Sequence, residues 1–152
     1  MRVVVDTSVL VSAALFDESV PRSALVLTMR FHTPLVSDAM IREYGRVMSS
    51  SKFDAYTPRN ERLALLATYI QASDQVEIPG TLHICRDPRD NMVIETAFEG
   101  KANALITGDD DILSLRPLKG INIMTPEEFV KKLVAYKQGG GFAAHVAEKD
   151  GT

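Results

Sequence analysis

Arg2-Val3-Val4-Val5-Asp6 opens the chain, and Ala104-Leu105-Ile106-Thr107-Gly108-Asp109 repeats its pattern far downstream. Each is a short apolar run, rich in β-branched residues, that ends on an acid. Such a run reads as a strand buried on both faces, the kind found in parallel sheets. Pro34–Ser37 and Ile121–Met124 read as two further short strands.

Helical periodicity fills the intervals. Thr7–Leu15 predicts one helix, and Ser19-Val20-Pro21 opens another with proline in its first turn, running to about Arg30. Ser37 is placed to cap a helix whose apolar positions Met40, Ile41, Tyr44, Val47 and Met48 share a face. Thr57-Pro58 leads into a helix with Leu63, Leu66, Ala67 and Ile70 at i, i+3, i+4 and i+7, the predicted buried stripe. Asp87–Asn91 leads into one carrying Val93, Ile94, Ala97 and Phe98. Thr125-Pro126-Glu127-Glu128 is a capping box that opens a last helix. Strands alternating with helices predict an α/β fold, a parallel sheet covered on both faces. Ligands of such sheets bind beyond the carboxyl ends of the strands.

The 152 residues suit one domain, read here as residues 1–138. Gly139-Gly140-Gly141 breaks the chain, and residues 139–152 read as a flexible tail. Hydrophobic residues make up 45% and charged residues 24%, the balance of a soluble globular protein. One cysteine, Cys85, excludes an internal disulfide and a zinc site built on several thiolates. No apolar run approaches a membrane span, and the opening lacks the apolar core of a signal peptide, so the expected address is the cytoplasm. The net charge of −3 counts against a general nucleic-acid binder. It leaves room for an enzyme whose metal ions neutralise local carboxylates.

The acids lie where the topology rule points. Asp6 and Asp109 fall at the carboxyl ends of predicted strands. Asp90 falls at the start of a helix. Glu43 lies about 100° from the centre of its helix's apolar face, on a flank that reaches inward. Gathered carboxylates repel one another and lose solvation, and a divalent cation reverses that sign. Oxygen donors select hard cations such as Mg²⁺ or Mn²⁺. Such ions activate water and stabilise charge on a phosphoryl oxygen, which suits phosphodiester hydrolysis. Each acid also has an ordinary use. Asp6 and Asp90 can cap helices, Asp87-Pro88-Arg89-Asp90 and Gly108-Asp109-Asp110-Asp111 can be solvated turns, and Glu43 can pair with Arg42 or Arg46.

The ordered set of segments resembles the PIN-domain family, in particular the toxin members of toxin–antitoxin pairs. The matching pieces are Val3-Val4-Val5-Asp6-Thr7-Ser8-Val9-Leu10, Ser37-Asp38 with Glu43, Asp87-Pro88-Arg89-Asp90-Asn91 running into Ile94-Glu95-Thr96-Ala97, and Leu105-Ile106-Thr107-Gly108-Asp109-Asp110-Asp111-Ile112-Leu113. The resemblance implies a three-layer α/β/α sandwich and a Mg²⁺- or Mn²⁺-dependent endoribonuclease. It puts the catalytic and metal-binding acids on Asp6, Glu43, Asp90 and Asp109, with Asp111 as a further metal ligand. Ser8 and Thr107 match polar positions that orient those carboxylates. An antitoxin partner and a homodimer are implied by the same likeness. Ser8 departs from the asparagine common at its position, yet still offers a hydrogen-bond donor.

Basic residues near the acids, Arg42, Arg46, Arg86 and Arg89, are candidates to steer RNA, with ordinary surface charge as the competing use. A haloacid-dehalogenase-type phosphatase also opens on a strand-end Asp, but expects a second Asp where Ser8 stands. A receiver domain expects an acidic pair after the first strand, which Asp6 lacks. A PIN module that binds RNA or protein without catalysis is the remaining alternative, opposed by the complete acid set.

Overall fold

A computed structural model of the chain describes residues 1–138. The tail expected over 139–152 lies outside them. Five strands and seven helices follow in the order β1 (Arg2–Val5), α1 (Thr7–Leu15), α2 (Val20–Phe31), β2 (Thr33–Val36), α3 (Asp38–Met48), α4 (Arg59–Gln71), β3 (Asp74–Gln75), α5 (Pro88–Glu99), β4 (Ala104–Ile106), α6 (Asp110–Leu113), β5 (Asn122–Met124) and α7 (Pro126–Gln138). Every strand pairing is parallel, and the spatial order is β3-β2-β1-β4-β5. The architecture is the expected three-layer α/β/α sandwich. No helix among the described residues is long and apolar enough to cross a membrane.

The short strands form because they are buried on both faces. Val3, Val4, Val5, Ala104, Leu105 and Ile106 all have 0% exposure. The chain winds outward from β1 through β2 to β3, then returns to lay β4 on the other side of β1. The carboxyl ends of β1 and β4 therefore flank the point where the winding reverses, with Val5 in register with Ile106.

Helix starts follow the sequence signals closely. Asp6, Ser19, Ser37 and Asp87 each cap the helix that follows. Thr125 Oγ1 accepts from the Glu128 amide at 3.1 Å and Glu128 Oε1 accepts from the Thr125 amide at 3.4 Å, a completed capping box.

The stripe expected on α4 is turned by about one residue. Arg62, Leu66 and Tyr69 are the buried positions, whereas Leu63 is 37% exposed and Ala67 is exposed. The cause is Arg62, whose side chain is wholly buried. Its guanidinium donates to the carbonyls of Met48 at 2.9 Å, Ser50 at 3.0 Å and Thr57, and to Asp54 Oδ1 at 2.9 Å. One side chain thus satisfies the end of α3, the turn after it and the approach to α4. A similar exchange occurs on α5, where Phe98 is 40% exposed and Glu95 is buried. The two-residue β3, the short α6 and a 3₁₀ turn over Ser51–Phe53 between α3 and α4 are the elements absent from the sequence reading.

Replacing Arg62 by Ala leaves three carbonyls without that donor and a cavity beside them. We expect urea unfolding to show a loss of ~3 kcal/mol or more. Arg62→Lys should recover only part of it, because an ammonium lacks the planar fork.

Candidate active site

Asp6 follows β1 directly, and its amide stays on the sheet by donating to the Ile106 carbonyl at 2.9 Å. One carboxylate oxygen caps α1, accepting the Thr7 amide at 2.8 Å. The other accepts the Thr107 hydroxyl at 2.8 Å and the Ser8 hydroxyl at 3.3 Å. The capping use and the site use of Asp6 are therefore both realised, one on each oxygen. Burial raises its pKa, the hydrogen bonds from Thr107 and Thr7 offset part of that, and the Asp109 charge raises it further.

Thr107 also orients the second acid. Its hydroxyl oxygen accepts the Asp109 amide at 3.0 Å while its proton goes to Asp6. Asp109 in turn caps α6 by accepting the Asp111 amide at 2.9 Å. Asp90 enters from the first turn of α5 and is 7% exposed. Its pKa is pushed up to about 7, first by burial, then by the charges of Asp109, Asp6 and Asp87 and by a hydrogen bond shared with Asp109.

Carboxylate oxygens of Asp90, Asp109 and Asp111 lie within 4.8 Å of one another. Asp6 stands outside that trio but is joined to it through Thr107, and Asp90 feels its charge. Glu43 is on the flank of α3, as the helix-face arithmetic places it, with its side chain 14% exposed. Its oxygens accept from Arg46 at 2.7 and 3.1 Å and lie 3.9 Å from Arg89. The structure thus gathers three of the five acids, sets Asp6 beside them, and holds Glu43 at the rim in the surface pair that was its ordinary alternative. Asp87 is the turn residue it resembles, accepting the Arg89 amide at 2.9 Å and its guanidinium at 2.8 Å. Arg86 bonds Asp111 at 3.0 Å.

Three supporting residues escaped the sequence reading. Tyr44, fully buried, donates its hydroxyl to the Val5 carbonyl, tying α3 to the strand end beneath Asp6. Asn91 accepts the amides of Ile84 at 2.9 Å and Cys85 at 2.8 Å. Glu95 accepts those of Gly80 at 2.8 Å and of Thr81 and Leu82 at 3.1 Å each. Asn91 and Glu95 stand at i and i+4 on α5, a spacing that marks one polar face turned toward a loop.

The donor set suits a divalent cation. Three acids converge, one of them buried enough to resist ionisation, and every candidate ligand is a hard oxygen. A cation there would relieve the repulsion that the shifted Asp90 records.

The PIN-domain family model matches residues 2–111, a span that contains all five acids. An uncharacterised protein of Methanocaldococcus jannaschii is 33% identical over 144 residues, covering 87% of this chain and 91% of that protein. Among solved structures, a chain of the VapBC2 complex of Rickettsia felis bound to a DNA fragment from their promoter superposes with a TM-score of 0.56. That match covers 81% of this chain and 97% of that one at 14% identity, a likeness of fold. On the extent of the family match and the agreement of the fold, the chain belongs to the PIN-domain family.

Proposed function

We propose that the protein is a metal-dependent endoribonuclease that hydrolyses RNA phosphodiester bonds as the toxin of a toxin–antitoxin pair. The observation that carries this reading is the convergence of Asp90, Asp109 and Asp111 beside the strand-end Asp6. Family membership supports a nuclease, and the fold shared with a chain of a toxin–antitoxin complex supports an antitoxin partner. A homodimer and a cytoplasmic address belong to the same reading.

Asp6, Glu43, Asp90, Asp109 and Asp111 are the residues that would hold Mg²⁺ or Mn²⁺, and the first four are the proposed catalytic set. The chemistry such an ion supplies is a water of lowered pKa and charge stabilisation at the phosphoryl oxygens. Thr107 links the Asp6 carboxylate to the backbone of Asp109. Arg46, Arg86 and Arg89 neutralise the flanking acids in the free protein through pairs whose arginines are all solvent-exposed and hence weakly held. Their release to RNA phosphates therefore costs little. A phosphatase that uses Asp6 as nucleophile is disfavoured, because Ser8, which donates to Asp6, stands where that chemistry needs a second acid.

Purified protein should cut RNA with Mn²⁺ and not with EDTA. Asp6→Asn and Asp109→Asn should each lower cleavage ~100-fold or more, and Thr107→Val ~10–100-fold, with weaker Mn²⁺ binding. Unchanged Mn²⁺-dependent cleavage in Asp6→Asn would sink the assignment.

The pH dependence of stability offers a second test. Folded Asp90 keeps its proton up to about pH 7, against an ordinary value of 3.8. The native state thus holds an extra proton between those values, and the metal-free protein should lose stability as pH rises through that window, then level off. The raised pKa of Asp6 acts in the same direction. Asp90→Asn should flatten the slope, raise the Tm of the EDTA-treated protein at pH 7.5 and weaken its Tm rise with Mn²⁺. Scanning calorimetry from pH 4.5 to 8 measures all three.

A further inference from the structure

Residues 76–87 join β3 to α5 without a strand or helix of their own. The amides of such a segment must find water or side chains as acceptors. Here two buried side chains of α5 take five of them. Glu95 accepts from Gly80 at 2.8 Å and from Thr81 and Leu82 at 3.1 Å each. Asn91 accepts from Ile84 at 2.9 Å and Cys85 at 2.8 Å, and donates back to the Cys85 carbonyl at 3.4 Å. Gly80 lets three successive amides converge on one carboxylate. Its φ of +77° is costly for any residue with a side chain, although a Cβ there would meet nothing within 4 Å. The loop is thus clasped onto the helix that follows it.

Asp90 stands in the first turn of that helix, where the backbone alone holds weakly. Its amide reaches the Asp87 carbonyl at 3.0 Å, and the next bond, from the Asn91 amide to the same carbonyl, is stretched to 3.4 Å. First turns fray because their amides lack partners within the helix. The clasp opposes that fraying from outside. Asn91 follows Asp90 directly, and Arg86, next after Cys85, meets Asp111 at 3.0 Å, so the clasped segment runs from α5 to the acid cluster.

We propose that Glu95 is a positioning residue for the cation site. By clasping residues 80–85 to α5 it keeps the first turn of that helix wound and presents Asp90 to the ion beside Asp109 and Asp111. The inference rests on the metal-site reading of that cluster. With its oxygens given to three amides, Glu95 acts through the loop and the helix and is not itself a ligand. A clasp that served stability alone would change the Tm and leave ion affinity untouched.

The test titrates EDTA-treated protein with Mn²⁺ by isothermal calorimetry and follows amide hydrogen exchange before the ion is added. Glu95→Gln replaces one acceptor oxygen and removes the charge. It should weaken Mn²⁺ binding about tenfold, the lower end of what outer partners of metal ligands contribute, and quicken exchange at Thr81, Leu82, Ile84, Cys85 and Asn91. Gly80→Ala keeps every charge and should act in the same direction through backbone strain alone. Its exposed position keeps the test open should Glu95→Gln fail to fold. Arg62→Lys is the stability control, expected to lower the Tm and leave Mn²⁺ affinity unchanged. The proposal is overturned if loop exchange quickens without a loss of affinity, if affinity falls without quicker exchange, if neither changes, or if Arg62→Lys weakens binding as much. In each of those cases the unaltered protein still binds Mn²⁺ and the cation site stands. Unaltered protein that binds no Mn²⁺ overturns the clasp and the cation site together.

Discussion

The 2.8 Å hydrogen bond from Thr107 to Asp6 is the contact on which the site depends. It exists only because β1 and β4 are neighbours in the sheet, in a register that sets Val5 beside Ile106. The same hydroxyl accepts the Asp109 amide, so one oxygen holds the Asp6 carboxylate and the backbone of Asp109 at the reversal point. Tyr44 adds a third tie by binding the Val5 carbonyl, which brings α3 and its Glu43 to that edge. The geometry of the acids is thus a consequence of sheet topology, with little left to side-chain freedom.

That arrangement is unfavourable in isolation. Asp6 and Asp90 are buried, and their raised pKa values record repulsion and lost hydration. The apolar strands around them carry the stability that the acids remove. Arginines soften the cost at the exposed flanks but do not reach the centre, since Arg86 meets Asp111 and Arg46 meets Glu43 while Asp90 and Asp109 face each other. An unbalanced centre within a balanced rim is an arrangement suited to a small cation, which can enter where a guanidinium cannot fit.

Much of this was legible in the sequence, and the failures are specific. Asp6 and Asp109 were readable because an apolar run that stops on an acid announces both a buried strand and its end. Glu43 was readable as a flank residue from helical geometry, and Arg46 as its ordinary partner, although the approach of Arg89 was not. Convergence of Asp90 with Asp109 and Asp111 needed either family likeness or coordinates, since no local pattern encodes a contact between α5 and the turn after β4. The stripe on α4 misled because hydrophobicity alone assumes that an arginine faces water. Arg62 faces inward because backbone carbonyls left over by turns needed donors. Glu95 was missed in mirror image, since the surplus there was of amides. Strand β3 has two exposed residues and no apolar signature at all.

Net charge is the remaining lesson, because −3 counted against a general nucleic-acid binder while leaving room for a metal-dependent enzyme. The whole-chain figure adds charges that act in different places. Five of the 20 acids belong to the proposed cation site, and the 17 basic side chains outnumber the acids that remain. With one divalent cation bound the net charge rises by two, from −3 to −1, and the acid in excess lies at the site rather than over the whole surface. What would steer an RNA strand is the field at the rim, set by groups such as Arg46, Arg86 and Arg89 beside the site acids. An acidic isoelectric point and a phosphodiester substrate are therefore compatible whenever the excess acid is concentrated where the metal goes.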